Sequence, residues 1–243
     1  SFSQMALNIL HIPVNFGCEI GHLWYIYMLI GLYLVTPIIS PWLQQASKRE
    51  LEGYLGLWII TTFLPYIHLV YPEVLGEAFW NDTPLLYYFT GFIGYFILGY
   101  YLKRFGYPSA ALSWIILIVG FALSAGIFCS RIDTVPTVPE LELSWGFCTV
   151  NVFLMTLGLF SLIGRLSLKG KNAACKLLSD ISIKSYGMYL AHILFLNFYY
   201  GLFKSISDAA YVTIPLIAVC TFITVYIFVY LLSYLPKSKY IIG

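Results

Sequence analysis

The chain has 243 residues, of which 60% are hydrophobic and only 10% charged, and its net charge is +2. Soluble domains carry roughly 25% charged residues, so a soluble globular protein is excluded and an integral membrane protein is implied. Alternating apolar and polar segments of about ten residues are missing, which speaks against a β-barrel. The expected fold is all-α, a polytopic membrane helix bundle.

About 20 apolar residues cross some 30 Å of hydrocarbon as a helix. Seven such stretches follow one another, near 23–41, 53–71, 84–102, 109–129, 146–165, 183–203 and 212–235. The first is entered through "CEIGHLWYIY", residues 18 to 27, which carries Glu19, His22 and Trp24. Pro37 and Pro41 are expected to bend or end it, and Pro65 to kink the second stretch. Small residues then recur: Gly91, Gly94 and Gly99 in the third stretch, Gly120 and Ser124 in the fourth, Gly158 and Ser161 in the fifth. These permit close backbone approach between membrane helices, and packing explains them without any function. No low-complexity run, long linker or repeat interrupts the series, so residues 1–243 read as one domain. The five cysteines are odd in number and scattered, with no C-x-x-C pair, so neither a metal site nor a disulfide framework is implied.

Charge sets the threading. Counted by parity, the loops on one side of the membrane collect eleven of the 13 basic residues, with a concentration at Arg165, Lys169, Lys171, Lys176 and Lys184. The opposite side holds only Arg131 and Lys204 but most of the acids. By the positive-inside rule the C-terminus is cytoplasmic and residues 1 to 20 lie outside.

The sixth stretch, "SYGMYLAHILFLNFYY" over 185–200, carries polar groups that lipid does not explain. His192 lies about nine residues into its helix, some 14 Å along the axis, close to the midplane. At 100° per residue Ser182, Ser185, Tyr186, Tyr189, His192 and Tyr200 share one side. That stripe serves either interhelical hydrogen bonding alone or a lined cavity in which His192 positions a substrate or moves a proton. Glu19, His22 and Trp24 read as an interfacial entry with an aromatic anchor or as a second polar constellation, which His68 could approach. The basic group at 165–184 is a topology signal that can also attract an anionic cofactor or lipid headgroups. No Walker loop, G-x-G-x-x-G, G-x-S-x-G or H-E-x-x-H occurs, so the common soluble catalytic motifs are excluded, and nothing points to nucleic acid.

Three segments, in order, carry a resemblance. "GHLWYIYMLIGLYLVTPIISP" resembles the His-Leu-Trp helix of the acyltransferase-3 family of membrane acyltransferases, and "LLYYFTGFIGYFILGYYL" is similar to its Gly-rich helix. "ISIKSYGMYLAHILFL" is similar to its Ser-x-x-Ile-Tyr-x-x-His segment. The match in order and spacing extends to the subgroup that O-acetylates the enterobacterial common antigen. The resemblance implies transfer of an acyl group, usually acetyl from acetyl-CoA, to a hydroxyl of a cell-surface glycan or lipid-linked saccharide at the bacterial inner membrane. It further implies that the family's three N-terminal spans, with an Arg-Gly segment and a catalytic histidine, are missing here. On the matched positions it implies roles for His22, Tyr189 and His192 in catalysis and for Trp24, Ser185 and Tyr186 in substrate binding, with no metal. The alternative from another class is a seven-span transport or binding protein whose polar stripe lines a permeation path.

Overall fold

The computed structural model describes residues 24–76, 85–166, 173–204, 209–236 and 238, and the regular elements among them are all helical. In chain order they are α1 (Trp24–Gln45), α2 (Lys48–Thr61), α3 (Leu64–Ile67), α4 (Ile93–Phe105), α5 (Ala110–Arg131), α6 (Val138–Leu141), α7 (Val150–Gly164), α8 (Ala173–Lys204) and α9 (Ala210–Leu232). Short 3-10 turns occur at Val74–Gly76, Tyr87–Phe89 and Glu142–Trp145. Three of the helices, α1, α5 and α9, are long and apolar enough to cross a membrane. The segment from α6 through Trp145 together with α7, bent by 42°, makes a fourth if it counts as one span. The remaining stretches of the sequence appear as α2 with α3, as α4, and as α8, whose 32 residues include the polar stripe.

Two of the expected breaks fall differently. Helix α1 runs on to Gln45 with Pro37 and Pro41 inside it. The Thr36 hydroxyl donates to Leu32 O at 2.6 Å and that of Ser40 to Thr36 O at 2.7 Å. The second stretch, by contrast, does not kink but divides. Thr61 and Thr62 turn their hydroxyls onto Trp58 O and Ile59 O, at 2.6 and 2.7 Å, α2 stops, and Pro65 enters the first turn of α3. Val150 N–H, at the start of α7, bonds the Thr62 carbonyl at 3.0 Å.

The chain divides into two compact units. One spans residues 27–167 and is built around Trp58, which is fully buried. Its indole N–H donates to Gly91 O at 3.0 Å, and its ring meets those of Tyr95 and Phe153 edge-on at 4.8 and 5.3 Å. Gly94 lies flat against the indole, where a Cβ would overlap the ring. Helices α5 and α7 touch backbone to backbone: a Cβ on Gly120 would stand 2.7 Å from Met155 N, and one on Gly158 2.7 Å from Ser113 O. Close beside that contact Asn151, wholly buried, donates from Nδ2 to Ser124 Oγ at 2.6 Å and to Ser144 O at 2.8 Å. Its Oδ1 lies 2.7 Å from the Tyr66 hydroxyl, which also reaches Leu143 O at 3.1 Å. The knot ties α3, α5 and α7 to the turn before α7.

The other unit comprises residues 1–26 and 168–243, and its described core is the antiparallel pair of α8 and α9. Met188, Val225 and Val229 are buried between them. Tyr199 and Thr224 share a hydroxyl hydrogen bond of 2.7 Å, and the rings of Phe195 and Phe228 meet at 5.3 Å.

Candidate active site between the last two helices

Residues 185, 189, 192 and 196 follow the i, i+4, i+7 spacing of one helix face, and so do 218, 221, 222 and 225. Packing α8 on α9 brings those two faces together around a hollow of about 390 Å³, the size range of small-molecule sites. Its polar wall is Ser185, Tyr189 and His192 from α8 with Thr221 from α9, and apolar residues such as Met188 and Phe222 supply the rest.

The His192 Nδ1 lies 2.5 Å from Tyr189 O. A carbonyl can only accept, so Nδ1 carries the hydrogen, and the lone pair of the neutral ring resides on Nε2. The Tyr189 ring stands 5.5 Å from the imidazole, tilted by 32°. On its other side Tyr25 meets it nearly edge-on at 5.3 Å, and Trp24 meets Tyr25 at 6.1 Å. The end of the "CEIGHLWYIY" segment thus reaches the stripe of α8. Thr221 is 7% exposed, and its buried hydroxyl oxygen has no hydrogen-bond partner among the described residues. An orphan of this kind costs about 1–3 kcal/mol, a cost that a group seated in the hollow can relieve.

Of the residues singled out from the sequence, Ser185, Tyr189 and His192 come together, and Trp24 approaches through Tyr25. Tyr186 does not line the hollow and is 39% exposed. One residue beyond Ser185 it is turned by about 100°, onto the flank of the face. Tyr200 lines a different hollow, and Ser182 is exposed, its carbonyl accepting from Ser185 Oγ at 2.8 Å. His68 forms the C-cap of α3 in the other compact unit. His22 and Glu19 lie outside the described residues. No group of three His, Cys, Asp or Glu side chains able to hold a metal occurs among the described residues.

Two participants escape a reading of the sequence. Thr221 sits in the apolar run "AVCTFITV" and looks like any helical threonine until α9 is placed against α8. Lys184, grouped above with the basic loop, is buried instead. It pairs with Asp180 one turn back, and its Nζ stands 5.2 Å over the Tyr230 ring. Tyr226 donates to the other Asp180 oxygen at 2.7 Å. Lys184 first, and Tyr226 second, hold the Asp180 carboxyl below its ordinary range. This cluster clamps α8 to α9 immediately beside Ser185.

A family model described as an acyltransferase domain, of the acyltransferase-3 type, matches residues 9–234. That range takes in nearly the whole chain and both walls of the hollow. No curated protein and no solved structure matches the chain. The family match stands with a strongly apolar chain whose described regular elements are all helical and whose last two helices enclose a polar hollow: the chain belongs to the acyltransferase-3 family.

Proposed function

We propose that the protein is a membrane O-acyltransferase that moves an acyl group from an acyl-CoA, acetyl-CoA in the first instance, to a hydroxyl of a cell-surface glycan or lipid-linked saccharide. The observation that carries this reading is the pairing of His192, its Nε2 lone pair set by the bond to Tyr189 O, with the orphan hydroxyl of Thr221 in one hollow. A sugar hydroxyl is a weak nucleophile near neutral pH. It needs a base to take its proton and a donor for the oxyanion that forms. His192 Nε2 accepts the hydroxyl proton as the oxygen attacks the thioester carbon. The C–O bond forms, the C–S bond breaks, and the proton passes from His192 to the departing thiolate. The products are an ester and free CoA thiol, and the imidazole returns to its neutral state. Thr221 is the donor proposed for the oxyanion, with Tyr189 lining the same wall.

The hollow accommodates the thioester end of the donor by size and lining. Lys176, exposed on the first turn of α8, is suited to the phosphates of CoA, in keeping with the basic side of the chain being cytoplasmic. The reading places a single domain of seven spans in the bacterial inner membrane, with residues 1 to 20 outside. The enterobacterial common antigen subgroup supplies the first acceptor to try, on the strength of the three sequence segments. His22, Trp24 and Tyr186 take their roles here from those segments alone. Membranes from cells producing the protein, incubated with radiolabelled acetyl-CoA, are expected to transfer label to the saccharide fraction above the level of membranes lacking it. Equal labelling in the two preparations rejects the reading.

A further inference from the structure

A second hollow, of about 450 Å³, continues the first along the same face of the α8 and α9 pair. Leu196 and Ala218 belong to both. Beyond them the wall is Ile214 and Ile217 of α9, with Asn197 and Tyr200 of α8. The polar groups of the first hollow, His192 and Thr221, therefore sit at one end of a largely apolar groove that carries no charged side chain on its wall. From His192 to Tyr200 is eight residues, about 12 Å of helix, the reach of an extended chain of about ten carbons.

We infer that this second hollow holds the alkyl chain of the acyl donor, so that the site accepts medium-length acyl groups and is not confined to acetyl. The inference rests on the acyltransferase reading. With the thioester carbonyl between His192 and Thr221, an acetyl group ends inside the first hollow and leaves the second unfilled. Such an unfilled wall forgoes its dispersion contacts. A longer chain runs past Leu196 and Ala218 and lies against Ile214 and Ile217. Each further methylene buried there strengthens binding by about fourfold, until the chain reaches Tyr200. The polar groups of this wall are Asn197 and Tyr200 of α8 and the rest is aliphatic, a lining that suits an alkyl chain better than a sugar.

The test uses the full chain in membranes and compares acetyl-, hexanoyl-, octanoyl- and dodecanoyl-CoA as labelled donors, scoring label in the saccharide fraction. Octanoyl transfer is expected to exceed acetyl transfer. Ile214 is 64% exposed, so Ile214→Trp fills the second hollow without disturbing the core. It is expected to lower the octanoyl-to-acetyl ratio by about tenfold, the loss of one to two buried methylenes. Ile217→Ala enlarges the hollow and is expected to shift preference toward dodecanoyl. The ratios are internal to each variant and do not depend on how much of it folds. Independently of turnover, octanoyl-CoA with a terminal diazirine is expected to photolabel Ile214 or Tyr200. Transfer of acetyl alone, unchanged ratios in both variants, or photolabel only outside α8 and α9 overturns the inference and leaves the proposed function standing. A change in acceptor use with an unchanged donor profile also overturns it, by assigning the hollow to the acceptor's lipid. Transfer from no donor overturns both.

Discussion

Two buried polar clusters in this molecule use similar groups to opposite ends. At Asn151 both amide hydrogens and the carbonyl oxygen have partners, in Ser124, Ser144 and Tyr66. At the hollow between α8 and α9, His192 is oriented by Tyr189 O while the hydroxyl of Thr221 is buried with no partner among the described residues. A fully paired amide such as that of Asn151 rigidifies a fold, and a buried hydroxyl without a partner carries a cost that a ligand can relieve where there is space for one. The second surrounds a space of about 390 Å³. Hydrogen-bond balance alone does not tell a functional polar group from a structural one, since Ser144 and Ser161 also bury hydroxyls with no partner among the described residues; what sets Thr221 apart is that it lines a hollow.

That contrast can be broken by mutation. Asn151→Leu strands the hydroxyls and the carbonyl it now serves, and is expected to cost about 3 kcal/mol of stability. The measurement is thermal unfolding in detergent, with transfer per folded molecule near wild type. If Asn151→Leu leaves stability intact and abolishes transfer, the distinction fails. Thr221→Val should show the reverse pattern. Deleting an orphan hydroxyl leaves the unfolding temperature unchanged or raised. Transfer, measured with labelled acyl-CoA, is expected to fall about a hundredfold through the loss of an oxyanion donor, an effect at the low end for such groups. A stability loss with no change in transfer would make Thr221 merely structural.

The smallest expected effect concerns a surface feature, the capping box that starts α2. Ser47 N–H donates to Glu50 Oε2 at 2.7 Å and Glu50 N–H to Ser47 Oγ at 3.3 Å. The bonds from Ser47 hold the Glu50 carboxyl below its ordinary 4.5. Because the folded-state value is depressed, the contribution is complete above the ordinary value and is lost as pH falls through the folded one. The gap in unfolding temperature between wild type and Glu50→Gln is therefore expected at neutral pH and should close in the acid range. A gap that persists there would place the effect elsewhere.

The features legible in the sequence are those that a single helix reveals about itself. Composition announced an all-helical membrane chain, and α1, α5 and α9 fall where the apolar stretches do. Periodicity put Ser185, Tyr189 and His192 on one face, and the small residues Gly120 and Gly158 mark a real close contact. The remainder depends on how helices pair. The burial of Lys184 needs Asp180, Tyr226 and Tyr230 around it, and two of those come from α9. Tyr25 gains its place only when the first turn of α1 meets Tyr189. The division of the second apolar stretch turns on two hydroxyls, Thr61 and Thr62, choosing carbonyls one turn back, a local choice that hydropathy does not register.

The central claim is that the polar hollow of α8 and α9 transfers acyl groups and that His192 moves the proton. The most direct test is acyl transfer from labelled acetyl-CoA and octanoyl-CoA by wild type and His192→Ala in the same membranes, normalised to folded protein. The account predicts a fall of about a hundredfold or more, the usual weight of a general base, at an unfolding temperature close to wild type. Equal rates per folded molecule would contradict it.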